Sequence, residues 1–234
     1  MTHAHQVFDR AAHLRISSMA ALLALAVLAV FVVPFTVAPT SVLARIAQDV
    51  LLSLVLASGV VAVSDHRAHL VPIAIVAGIA IVVRWTGWLL PLGAATALRD
   101  ETALVALGLL AAVIGIRVFG AGTATIDRIL GAITLYLLIG VVWSEAYQLI
   151  SIHDSAAYIG ISHGNTPADR STWIYFSFVT LTTVGYGDIT PVAHAARSLA
   201  ILEALIGQLY PAIVLARLVS LQVAGGEPLG GKRS

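Results

Sequence analysis

The chain has 234 residues, of which 59% are hydrophobic and 11% charged, and 13 basic against 12 acidic residues leave a net charge of +1. An ordinary soluble domain carries about 25% charged residues. A soluble enzyme, a disordered chain and a nucleic-acid binder are therefore excluded. The absence of cysteine removes disulfides, thiolate catalysis and cysteine-bound zinc. What remains is a membrane protein of several spans. At about 20 residues per span, six helices with short joints use most of the chain.

In chain order, the first apolar run is 16–38, closed by Pro34 and Pro39. Arg10 and Arg15 precede it, as before a cleaved signal peptide. The run is long for one, however, and Pro39 after Ala38 spoils the cleavage site, so it reads as a retained helix. The second run is 46–63, followed by the polar joint 64–69. The third, 70–90, stops at Pro91, and the residues Leu98, Arg99, Asp100 and Glu101 read as the next polar joint. The fourth is 102–119, and a glycine-rich connector, Gly120-Ala121-Gly122, leads to the fifth, 129–151, with Asp127 as its expected N-cap. A polar stretch, 152–171, separates this from a shorter run, 172–182. That run is too short to span and reads as re-entrant, so the backbone after it must line protein or water. The last run is 194–223, and 224–234 reads as a flexible tail too short for a ligand-binding domain.

With both termini in the cytoplasm, the inner segments hold Arg10, Arg15, Arg67, Arg117, Arg128, Arg217, Lys232 and Arg233. The outer segments hold Arg45, Arg99, Arg170 and Arg197. This bias supports that orientation. Trp85, Trp88, Trp143, Tyr147 and Trp173 then fall near the outer face and read as an anchoring aromatic belt.

Residues 182–188 read Thr182-Thr183-Val184-Gly185-Tyr186-Gly187-Asp188. Gly185 and Gly187 can adopt backbone conformations closed to residues with a Cβ. Alternated with Val184 and Tyr186, they allow successive carbonyl oxygens to point one way, where a ring of them can replace the water around a cation. One loop makes one wall, so four chains are needed to close a ring.

This motif, after an aromatic helix and before a long apolar one, resembles the potassium-channel pore family. The resemblance is specific over 129–223; over 1–128 it rests on span count. It implies an all-α homotetramer of six transmembrane helices per subunit with a re-entrant pore helix. The pore domain would be 129–223, with pore helix 172–182, filter 183–187 and inner helix 194–221. Residues 1–128 would be a four-helix domain laid out like a voltage sensor. Thr183, Val184, Gly185, Tyr186 and Gly187 match the filter, with K+ at Thr183, Val184, Gly185 and Tyr186. Thr182, Asp188 and Tyr175 match its supports, Tyr175 as the aromatic that bonds Asp188. Val179 stands where some members carry a buried glutamate. Gly207 matches a hinge glycine, although close packing accounts for it equally well. Pro211, one turn on, is expected to kink the helix. Gln208, Pro211 and Leu215 would face the conduction path.

Two isolated charges remain. Glu203 reads either as a proton-sensitive brace behind the filter or, preferably, as a plain hydrogen-bonded residue against the pore helix. Arg84 reads as snorkelling outward beside Trp85 and Trp88, with Asp49 as the alternative partner. The eight histidines lack metal-ligand spacing. The fourth run carries a single arginine, Arg117, at its end, so strong voltage gating is not expected. The implied function is passive K+ conduction by a homotetramer in a bilayer, with no enzyme activity, no nucleic acid and no cofactor beyond the permeant ion. A prokaryotic inner, or plasma, membrane is the expected location. A regulatory subunit that assembles with another pore chain is the alternative, and a membrane enzyme or transporter finds no catalytic cluster or repeat to support it.

Overall fold

A computed structural model describes residues 19–32, 42–63, 67–86, 93–120, 125–161 and 170–225. Leucine, valine, isoleucine and alanine dominate these segments, and an apolar chain can satisfy its backbone polar groups away from water by folding into helix. Seven helices result: α1 (Met19–Val32), α2 (Val42–Val63), α3 (Arg67–Thr86), α4 (Gly93–Phe119), α5 (Ile126–His153), α6 (Arg170–Leu181) and α7 (His194–Gly225). The last turn of α1, Leu28–Val32, is a π-helix. Two short strands, β1 (Tyr158–Ile159) and β2 (Thr190–Pro191), pair antiparallel, Tyr158 opposite Pro191 and Ile159 opposite Thr190.

Three stretches are long and apolar enough to cross a membrane: Asp100–Phe119 of α4, Ile126–His153 of α5 and His194–Ser220 of α7. The other long apolar helices among the described residues, Met19–Val32, Ile46–Ala62 and Val71–Thr86, are shorter. The re-entrant run is α6, beginning two residues before the expected 172 and ending at Leu181.

Four expectations are corrected. The polar joint at Leu98–Glu101 does not exist, because α4 runs through it from Gly93. Leucine, arginine and glutamate are good helix formers, and polarity alone does not end a helix. Asp127 is not the N-cap of α5. Thr125 occupies that position without a side-chain cap bond, and Asp127 lies in the first turn, where an acid meets the positive end of the helix dipole. Arg84 does not snorkel: its Nε donates to Asp49 Oδ1 at 2.6 Å, with both residues buried between α2 and α3. Tyr147 and Trp173 are not belt anchors, since both are fully enclosed by protein. Trp85 is exposed, and Trp88 lies outside the described residues.

The core runs continuously from α1 to α6. Leu22, Leu56, Leu107, Leu110, Ile114 and Leu138 are wholly buried in it, and Ile174 of α6 closes it. Small residues set the helix spacing. A Cβ on Gly59 of α2 would overlap the side chain of Leu110 of α4. In lipid, helices gain little by hiding apolar surface, so such close packing is what holds them together. α5 is the shared wall, packed against α4 on one side and α6 on the other.

Candidate functional site

The site is built on α6. Its residues Trp173, Ile174, Phe176, Ser177 and Leu181 recur at helical spacing and are all buried. Around them Tyr147, Tyr158, Trp173 and Phe176 meet edge to face, with ring centroids 4.8 to 6.1 Å apart. This is the favoured geometry for aromatic quadrupoles. Burial raises the Tyr158 phenol above its ordinary range, so it stays protonated. At the start of α6 an ion pair joins Arg170 to the buried Glu145 of α5. At its end, the Phe178 ring fills the space a Cβ would take on Gly140 of α5, and Phe31 of α1 lies 5.9 Å from that ring.

After Leu181 the chain folds back on the helix that precedes it. The backbone N–H of Thr182 donates to Phe178 O, that of Thr183 to Thr180 O, and those of Val184 and Gly185 both to Val179 O. The Thr182 hydroxyl also donates to Phe178 O, at 2.6 Å. The carbonyls of Phe178, Val179 and Thr180 at the end of α6 are thereby used. Among the described residues, no donor reaches the carbonyls of Thr182 to Gly187.

Thr183, Gly185 and Gly187 have φ of +58°, +58° and +79°, and Thr183 is the one non-glycine described residue with positive φ. Residues with positive φ thus occupy every second position of the loop. For the β-branched Thr183 this is a strained conformation.

Outside the loop, the Tyr175 hydroxyl donates to Asp188 Oδ2 at 2.8 Å, and the Tyr175 and Tyr186 rings lie parallel, 6.5 Å apart. The Asp188 Oδ1 accepts the backbone N–H of Ile189. A Cβ on Gly160, whose φ is +93°, would fall on the Asp188 carbonyl, so this turn holds the far end of the loop.

α7 crosses beneath. A Cβ on Gly207 would fall on the carbonyl oxygen of Leu181, so the glycine marks a close crossing of α7 over the end of α6. Pro211 does not end the helix, which continues to Gly225. Its missing N–H is the one that would have bonded the Gly207 carbonyl. Gln208 Nε2 donates to Thr183 Oγ1 at 2.9 Å. Gln208, Pro211 and Leu215 are all exposed in the single chain.

Glu203 is completely buried. Its Oε2 accepts from Tyr147 Oη at 2.5 Å, and its Oε1 lies 2.5 Å from Ser177 Oγ. Lower down, Tyr210 Oη donates to Ala132 O, and Arg128 of α5 and Arg217 of α7 both donate to the Gly120 carbonyl at the end of α4.

Sequence reasoning missed Ser177, Gly140, Phe178 and the Glu145–Arg170 pair. One signal was present: a lone glutamate in an apolar helix needs donors, and hydroxyls on the neighbouring runs are the available ones. The glycine notch and the ion pair join residues far apart in the chain and left no local trace. No group of three acidic, histidine or cysteine side chains able to hold a metal is found among the described residues. The oxygens on offer are neutral carbonyls and a hydroxyl, which suit a weakly held, hard cation.

A family model described as ion channel matches residues 131–223, which take in α6, the loop and most of α5 and α7. Protein LctB of Bacillus caldotenax is 30% identical over 121 residues, covering 50% of this chain and 89% of that protein. Protein LctB of Geobacillus stearothermophilus is 50% identical over 56 residues, 24% of this chain and 41% of that protein. No solved structure matches. With matching pore-half sequence and long apolar helices around it, this is a membrane protein that belongs to the ion channel family.

Proposed function

We propose that the chain is the subunit of a homotetrameric, potassium-selective channel. In this reading the carbonyls of Thr183, Val184, Gly185 and Tyr186, with the Thr183 hydroxyl, form the rings that replace the hydration shell of K+, and ions pass by displacement between adjacent sites. Gly187 completes the filter. Thr182, Tyr175 and Asp188 brace it, and Gln208, Pro211 and Leu215 line the cavity below. Gly207 and Pro211 mark the crossing and the weak point of the inner helix α7. No cofactor enters beyond the permeant ion.

The observation that carries the reading is the hydrogen-bond account of the loop. Its N–H groups from Thr182 to Gly185 are spent on α6, and its carbonyls have no donor among the described residues. Closed off from bulk water by neighbouring copies, such carbonyls would need another ligand. The C-terminal end of α6, which carries the negative end of its dipole, adds a favourable field for a cation.

The uncovered surface supports assembly. Only 11% of the apolar stretch of α7 is buried against its own chain, compared with 56% for α5. In the loop, Val184 and Tyr186 are 53% and 72% exposed. Three further copies around the loop would cover these residues and close the ring. The division into a four-helix part, 1–128, a pore part, 129–223, and a short tail belongs to the same proposal. So do six spans, both termini in the cytoplasm and residence in a prokaryotic inner membrane.

The test is reconstitution of the pure protein in liposomes with a potassium gradient. Selective potassium flux over sodium is expected, and the cross-linked particle is expected to contain four chains. Equal sodium flux would end the claim of selectivity. Flux only after addition of another pore-forming chain would establish the regulatory-subunit reading instead.

A further inference from the structure

Behind the loop, one hydroxyl is asked to make two bonds. Ser177 Oγ lies 2.7 Å from the Gly140 carbonyl oxygen and 2.5 Å from Glu203 Oε1. A serine hydroxyl has one proton to donate. The Gly140 carbonyl can only accept. If Ser177 donates to Gly140, a charged Glu203 would leave two bare oxygens in contact at 2.5 Å. If Ser177 donates to Glu203, the same conflict moves to Gly140. One extra proton resolves both contacts.

The remaining groups agree. Tyr147 already supplies its proton to the other carboxyl oxygen, Oε2. The titratable groups facing Glu203 are Tyr136 and Tyr147 of α5 and Tyr158 of β1, with the Ser177 hydroxyl facing it from α6. No arginine, lysine or histidine pairs with it among the described residues. The nearby cation Arg170 is engaged by Glu145. A carboxylate wholly removed from water without a cation is the costly form.

We infer that Glu203 is a proton-binding site: a neutral carboxylic acid that accepts from Tyr147 through Oε2 and donates through Oε1 to Ser177, which in turn donates to the Gly140 carbonyl. Each proton is used once in this chain. It links α7 to α6 and α6 to α5 at one level. Removing the proton leaves Ser177 able to keep only one of its two partners, so α6 loses this bond to either α5 or α7. The bound species is a proton, and the bound form is the one that clamps the helix carrying the loop. The inference rests on the geometry behind the loop and holds whichever cation passes through it.

Infrared spectroscopy of the purified full-length protein in lipid tests it directly. At neutral pH the wild-type protein is expected to show the carbonyl stretch of a buried carboxylic acid. The band should move on labelling with carbon-13 glutamate and on exchange into deuterium oxide. It should be lost in E203Q, whose amide can reproduce the same donor and acceptor and so keep the fold. In S177A the band should persist but shift, because the acid loses its acceptor. Absence from the wild-type protein of any acid band that responds to the glutamate label would overturn the inference, whether or not either variant folds. An acid band that E203Q leaves in place would overturn it as well. Neither outcome bears on the flux measurement that tests the channel reading.

Discussion

A Cβ at Gly207 would land on the Leu181 carbonyl, whereas one at Gly185 or Gly187 would meet nothing within 4 Å. The three glycines therefore fail differently when replaced. Gly207→Ala pushes α7 away from α6, and loss of the assembled particle on size-exclusion chromatography is expected. Gly185→Ala and Gly187→Ala meet no wall, but each places a side chain in the left-handed region at a cost of about 1–2 kcal/mol. Those variants are expected to assemble and to lose potassium flux. At Gly207 the sequence left hinge and packing open, because a glycine's neighbours are invisible until the helices are placed.

The Arg84–Asp49 pair is a second matter of single residues. Removing one partner of a buried pair costs about 3–5 kcal/mol, while replacing both with apolar residues of similar size is near neutral or better. Asp49→Leu alone should lower the thermal unfolding midpoint strongly, and the double change Asp49→Leu with Arg84→Leu should restore most of it. Sequence could name Asp49 as a partner but not choose it, since the choice depends on α2 and α3 packing face to face.

At the level of elements, the apolar runs located the helices well because in a membrane helix is the one open structure that satisfies its own backbone. Ends were less legible. Polarity at Leu98–Glu101 looked like a joint but is helix, and α4 therefore carries both Arg99 and Arg117, near its two ends. Steep voltage gating uses about 3–4 charges per subunit moving through the field. Two distant arginines cannot supply that, and the conductance of reconstituted channels is expected to vary little with voltage. A slope equivalent to more than about two charges per subunit would contradict this. The α6–loop unit makes its own prediction. Tyr175→Phe deletes the bond to Asp188, worth about 1 kcal/mol, and should cost roughly fivefold in potassium-over-sodium discrimination, read as a shift in reversal potential.

For the whole molecule, the relative from Bacillus caldotenax is covered over 89% of its length by half of this chain. That relative is therefore about three-fifths as long as this chain. The core of this chain crosses from α4 into α5 without a seam, yet exposing the α4-facing side of α5 to lipid costs little, because lipid is as apolar as the helix it replaces. A chain shortened to begin at Thr125 is expected to insert, assemble and conduct, with a lower unfolding midpoint. Failure to assemble would mean that the first four helices are part of the pore's own framework. The proposed tetramer rested in the sequence on the motif alone. The surface it would cover, the open side of α7, becomes visible once the other helices have taken their places.

The Gly120 carbonyl joins three elements at one atom: the end of α4, Arg128 at the start of α5 and Arg217 near the end of α7. Read mechanically, it is a knot. A sideways shift of α4 would therefore act on α5 through Arg128 and on α7 through Arg217. A chain with few charges to feel an electric field still has its fourth and last helices fastened to each other at this atom.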